Sequence, residues 1–164
     1  MQIIILVETK SVSGSDCMYI KSFINNFYNG LRGHKITYIP MNGKTNYLKK
    51  EKEIQNYINK YSGDSKVMIT IDIDSPDLIF DQNVLNKKII NYCTDNDFEF
   101  VWFNKTIEHV FIKKIVKKNK NEIALNYIRR KKHDININDF NEEKFINTNV
   151  MKSNLNVVLN KLIN

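Results

Sequence analysis

Four short runs rich in β-branched and aromatic residues, at 3–7, 35–40, 66–73 and 98–103, are separated by segments long enough to hold a helix and return. Strands spaced by helices of about 10 to 16 residues are too far apart to pair as hairpins, so they call for a mainly parallel sheet with crossover helices on its faces. The 164-residue chain therefore reads as a single-domain, three-layer α/β/α fold. The right-handed crossover rule then brings every strand's carboxyl end to one edge. The crevice outside that edge is where open α/β sheets bind their ligands.

The intervening segments carry helical signals. Met18, Ile20, Phe23, Ile24 and Phe27 fall at helical spacing within 16–31, with Ser15 or Asp16 as the N-cap and Gly33 just beyond the end. Pro40 stops the second strand, and Asn42-Gly43 marks a turn. A mostly polar helix is expected over 46–61. A third, with Leu85, Ile89, Ile90 and Cys93 on its apolar stripe, is expected over 82–94. Thr106 can cap a helix running from 107 to about 118. The stretch 122–132 suits helix or strand, 134–147 reads as polar loop, and 153–162 is amphipathic. Residues 1–112 thus form the α/β core, and 113–164 supply a basic segment and a C-terminal helix that packs on or extends it.

Several classes are excluded. Cys17 and Cys93 are the two cysteines, without C-x-x-C spacing or a Cys/His cluster, so neither a disulfide framework nor a zinc site is supported. No apolar stretch approaches the about 18 residues that span a bilayer, and no basic region precedes the first apolar run. A cytoplasmic, unprocessed protein with no membrane partner is expected. The phosphate-binding patterns G-x-x-x-x-G-K-[ST] and G-x-G-x-x-G are missing, as is the G-x-S-x-G elbow of serine hydrolases.

What the chain does carry is acid at the strand ends. Glu8 closes the first apolar run, and Asp72 and Asp74 close the third. Residues two apart in a strand share a side, so Asp72 and Asp74 can present their carboxylates together. If the first and third strands are neighbours, Glu8 completes a three-carboxylate, all-oxygen site. Hard oxygen ligands without His or Cys suit Mg²⁺ or Mn²⁺. Such an ion can polarise a phosphodiester, activate water and neutralise the leaving oxygen.

This arrangement of a glutamate ending the first strand, two βα units, and Asp-x-Asp ending the third strand resembles the Toprim domain of topoisomerases, bacterial primases, OLD-family nucleases and recombination mediators. The resemblance covers about residues 1–112. It implies that Glu8 is a general acid/base or metal ligand and that Asp72 and Asp74 bind metal. Thr9-Lys10 follows Glu8 where the family usually has Gly. The segment Asn96-Asp97-Phe98-Glu99-Phe100-Val101-Trp102 is similar to the Asn-Pro-x-Phe-Glu-x-Trp motif of RloB-like small Toprim proteins of bacterial defence or mobile-element loci. Thr148-Asn149-Val150 resembles a C-terminal motif of the same group. Glu99 becomes a second-tier site residue on that basis.

Lys10 and His109 are the other second-tier candidates, Lys10 for a phosphate contact and His109 from the first turn of the helix after the fourth strand. Nine basic residues, Lys113, Lys114, Lys117, Lys118, Lys120, Arg129, Arg130, Lys131 and Lys132, stand against the single acid Glu122, a local +8 on a chain of net charge +7. A clustered basic segment on a near-neutral body is the footprint of a polyanion, most often nucleic acid. The expected function is divalent-metal-dependent phosphodiester chemistry on nucleic acid, that of a nuclease, working alone or with a second subunit. The alternative is a non-catalytic nucleic-acid or protein-partner binding module on a degenerate Toprim fold.

Overall fold

In the computed structural model, which describes residues 1–73, 80–131, 134–143 and 150–163, the apolar runs form four parallel strands. These are β1 (Gln2–Val7), β2 (Lys35–Pro40), β3 (Ser65–Asp72) and β4 (Glu99–Phe103), in the order β2-β1-β3-β4. β1 is buried along its whole length. A strand covered on both faces needs the unbroken apolar run that its sequence shows.

Alternation along the strands separates two cores. Ile3, Ile5 and Val7 of β1 and Met68 of β3 face α1 (Ser15–Phe27), α4 (Ile107–Ile112), α5 (Lys120–Lys131) and α6 (Leu155–Ile163). Ile4, Leu6, Ile69 and Ile71 face the opposite way, toward α2 (Glu51–Asn59) and α3 (Phe80–Asp95). The three-layer α/β fold expected from the sequence is the one present. Among the described residues no helix is long and apolar enough to cross a membrane.

Local boundaries differ in instructive ways. Neither Ser15 nor Asp16 caps α1. Gly14 holds the N-cap position with extended backbone, and the Ser15 amide donates to Asn121 Oδ1 at 2.9 Å, so a residue of α5 supplies the acceptor. The polar helix starts as a 3-10 turn, Lys44–Lys50, before α2. Thr106 does cap α4, its Oγ1 accepting from the His109 amide at 3.2 Å. That helix stops at Ile112, well short of 118, because Lys113 turns left-handed (φ 59°) and returns its amide to the His109 carbonyl. Of the ambiguous stretch 122–132, residues 122–131 fall in α5.

Among the described residues, the C-terminal part covers the sheet's β4 edge without adding a full strand. Ser153 forms an isolated antiparallel bridge with Phe103. The Asn154 side-chain amide donates to the Phe100 carbonyl (2.8 Å) and accepts from the Trp102 amide (2.9 Å). It thereby satisfies backbone groups that would otherwise be an open template for pairing.

Candidate active site

The strand order places a topological switch between β1 and β3. From β1 the chain crosses to β2 on one side, and from β2 it returns to β3 on the other. Crevices in open α/β sheets form at such a point, and here Glu8 and Asp72 mark it. β1 and β3 pair in register through Leu6 and Ile69. Beyond the last ladder pair, the Asp72 amide donates to Glu8 Oε1 at 2.6 Å. The Glu8 loop is pinned from the other side by the Asn42-Gly43 turn, where the Gly43 amide donates to the Glu8 carbonyl (2.7 Å) and the Asn42 amide to the Thr9 carbonyl (3.1 Å). Gly43 has φ 97°, a conformation that glycine adopts without steric cost.

A cleft of about 400 Å³ opens here, bounded by Glu8, Lys10, Asp16, Asp72 and Lys120 among others. Thr9, directly after Glu8, packs against a glycine at the start of α1. A Cβ on Gly14 would lie 2.5 Å from the Thr9 Cβ.

Asp72 shares a strand face with Met68 and Thr70 and is directed at the helices on that side. Its Oδ1 accepts from the Ile107 amide at 2.8 Å, so it serves the first turn of α4. Two further acids, not singled out in the sequence, lie in the same neighbourhood: Asp16 on α1 and the fully buried Glu108 on α4. Ser15 Oγ lies 3.2 Å from Asp16 Oδ1 and 3.3 Å from Glu108 Oε1. Lys120 Nζ is 3.2 Å from Glu108 Oε2.

Negative charge dominates this cluster. Burial, then Glu8, Asp16 and Glu108, hold the Asp72 carboxyl well above the usual carboxylate range, and Lys120 offsets only part of this. Asp16 is pushed up to about 6 by burial and by Glu108, against the opposing pull of Lys120, Ser15 and the Thr9 backbone. Burial pulls the Lys120 ammonium down, but Glu108, Asp72 and Asp16 outweigh it and its pKa rises. Lys44 enters from the other side. Buried at the start of its 3-10 turn, it donates to the Asp72 carbonyl at 2.7 Å.

Asp74, Lys132, Thr148 and Asn149 lie outside the described residues. Lys10 lines the cleft mouth. His109 is buried on α4, its pKa lowered by burial and by Lys105 and Lys113. Glu99 begins β4, at the amino end of the sheet, and pairs with Lys161, so it is not brought to the cleft. Of the basic residues, Lys120 turns into the cleft and Lys113 pairs with Asp139 at 2.7 Å. Lys114, Lys117, Lys118, Arg129 and Arg130 are exposed, and Lys131 lies at the end of α5.

Asp16 was masked in the sequence by its fit to a helix cap. Glu108 was masked by its place in an ordinary first turn. The available signal for Glu108 is its place among Ile107, Val110 and Phe111, whereas Asp16, after Ser13-Gly14-Ser15, carries none. Among the described residues no group of three or more His, Cys, Asp or Glu side chains is arranged to hold a metal ion. No protein-family model, curated protein or solved structure matches the chain.

Proposed function

We propose that the cleft at the β1/β3 switch carries out Mg²⁺- or Mn²⁺-dependent phosphodiester chemistry on nucleic acid, as a Toprim-like nuclease. The observation that carries this reading is the contact between Glu8 and Asp72 across the switch point, inside a cleft whose carboxylates outnumber its ammonium groups. The donor chemistry fits a hard divalent ion. The set is all oxygen, and Asp72 and Asp16 are raised first by burial and then by neighbouring carboxylates, a repulsion that such an ion would relieve. Glu8 and Asp72 would hold it, with Asp74 as the third ligand implied by the sequence. The ion would supply Lewis-acid polarisation of the phosphodiester and a water of lowered pKa.

The chain's own residues account for the rest. Glu8 would accept a proton from the attacking water in this reading. Lys120 and Lys10 present ammonium groups where a phosphate would enter, and Lys120 is well placed to stabilise charge as it develops. Hydrogen bonds to Asp72 and Glu8 fix the acids before substrate arrives, which keeps reorganisation small.

Two contacts favour the non-catalytic reading instead. Asp72 already serves α4 through the Ile107 amide, and Lys120 already serves Glu108. The test is incubation with end-labelled single- and double-stranded DNA and RNA in Mn²⁺ or Mg²⁺. A nuclease gives products that disappear with a chelator and with Asp72→Asn. Binding that persists in both conditions without any product would establish the binding module.

A further inference from the structure

Between α4 and α5, residues 113–119 run without regular structure and form one wall of a groove of about 480 Å³. Ile115 from this segment and Ile123 and Tyr127 from α5 give the groove apolar walls, and Lys114, Lys117 and Lys118 stand along it. Ile115 is 66 % exposed. Ile115 takes no part in the core, and together with the partly exposed Ile112, Val116, Ile123 and Tyr127 that line the same groove it makes an apolar surface of the kind that marks a contact site.

The chemistry that complements it is specific. A positive rim calls for a polyanion, and an apolar concavity calls for flat apolar faces that can enter it. Single-stranded nucleic acid offers both, phosphates along the backbone and unstacked bases beside them. A duplex hides its base faces within the stack and would meet only the lysines. A bilayer presents a broad surface, whereas these apolar side chains line a recess. Helix α5 borders both cavities, the cleft through Lys120 and Asn121 and the groove through Ile123 and Tyr127.

We propose that this groove seats unpaired nucleotides of a single-stranded nucleic acid. Their phosphates lie along Lys114, Lys117 and Lys118, and a base packs against Ile115 and Tyr127. The strand's onward path into the cleft rests on the functional reading given above, whereas binding in the groove needs no metal.

Fluorescence anisotropy in EDTA tests this with labelled 20-nucleotide single strands of DNA and RNA and the matching duplex. Single strands are expected to bind about 10-fold tighter than duplex, as base contacts of this kind allow. Lys114→Glu/Lys117→Glu/Lys118→Glu should weaken binding and flatten the salt dependence by roughly three phosphate contacts. Ile115→Ser, at an exposed position that folding does not depend on, should weaken single-strand binding about 5-fold and leave the salt slope and the duplex affinity unchanged.

Equal affinity for duplex, indifference to Ile115→Ser, or capture by phosphatidylserine vesicles in preference to oligonucleotide would each overturn the proposal. The chelator keeps the two readings separable. Single-strand binding in EDTA with no cleavage in Mn²⁺ removes the nuclease and leaves the groove. Cleavage in Mn²⁺ with no effect of Ile115→Ser removes the groove alone.

Discussion

The Asp72 amide donates to Glu8 Oε1 at 2.6 Å, and this bond ties the acid that ends β1 to the strand beside it. β1 ends at Val7, and the next donor on β3 is taken up by a side chain in place of main chain. The aim of Glu8 is therefore set by the β1/β3 register, which a buried apolar ladder fixes. Thr9, beside it, is accommodated because Gly14 has no side chain.

Gly14→Ala tests that accommodation. Its Cβ would fall 2.5 Å from the Thr9 Cβ, and overpacking of this kind costs about 1–3 kcal/mol. Urea denaturation should show the loss, and Thr9→Gly in the same chain should recover most of it. An unchanged midpoint for Gly14→Ala would show that the loop and α1 are not in close contact.

The Lys120–Glu108 pair makes a second prediction. Glu108 is fully buried and Lys120 is partly exposed, so Lys120→Met leaves a buried carboxylate without its cation, at a cost below the about 3–5 kcal/mol of a fully buried pair because water already screens the ammonium. Lys120→Met/Glu108→Gln should be markedly more stable than Lys120→Met alone. A double-mutant cycle with no coupling would remove the pair from the account.

Asp16 sets a pH dependence. Its pKa in the folded protein is about 6, above the 3.8 of an ordinary aspartate, so the folded state holds the proton more tightly than the unfolded chain. Its contribution to stability is present below the unfolded value and is lost as pH rises through about 4 to 6. Without divalent metal, Asp16→Asn should stabilise the protein at pH 7 by up to about 3 kcal/mol, the size of a two-unit shift, and have little effect near pH 3.5. Denaturation across that range checks it, and a pH-independent difference between variant and wild type would contradict it.

Much of this was legible in the chain because strand and helix periods leave direct marks. The unbroken apolar run of β1 and the Thr106 cap each report a local preference that packing did not override. The early end of α4 was not legible, because it depends on one left-handed residue, Lys113, that periodicity does not register. The cap of α1 was not legible either, since its acceptor, Asn121, lies 106 residues away. The same holds for the site. Glu8 and Asp72 announce themselves as acids ending apolar strands, whereas Asp16, Glu108 and Lys44 join them only through tertiary packing.

The central claim, that Glu8 and Asp72 hold a divalent cation, is tested most directly by Mn²⁺ calorimetry on the wild type, Glu8→Gln and Asp72→Asn. Asp72→Asn retains an oxygen for the Ile107 amide, so α4 should remain seated. Saturable binding by the wild type, weakened at least about tenfold in each variant as a charged oxygen ligand is removed, is the expected result. Equal binding by all three proteins, or no binding by the wild type even with an oligonucleotide present, would contradict it.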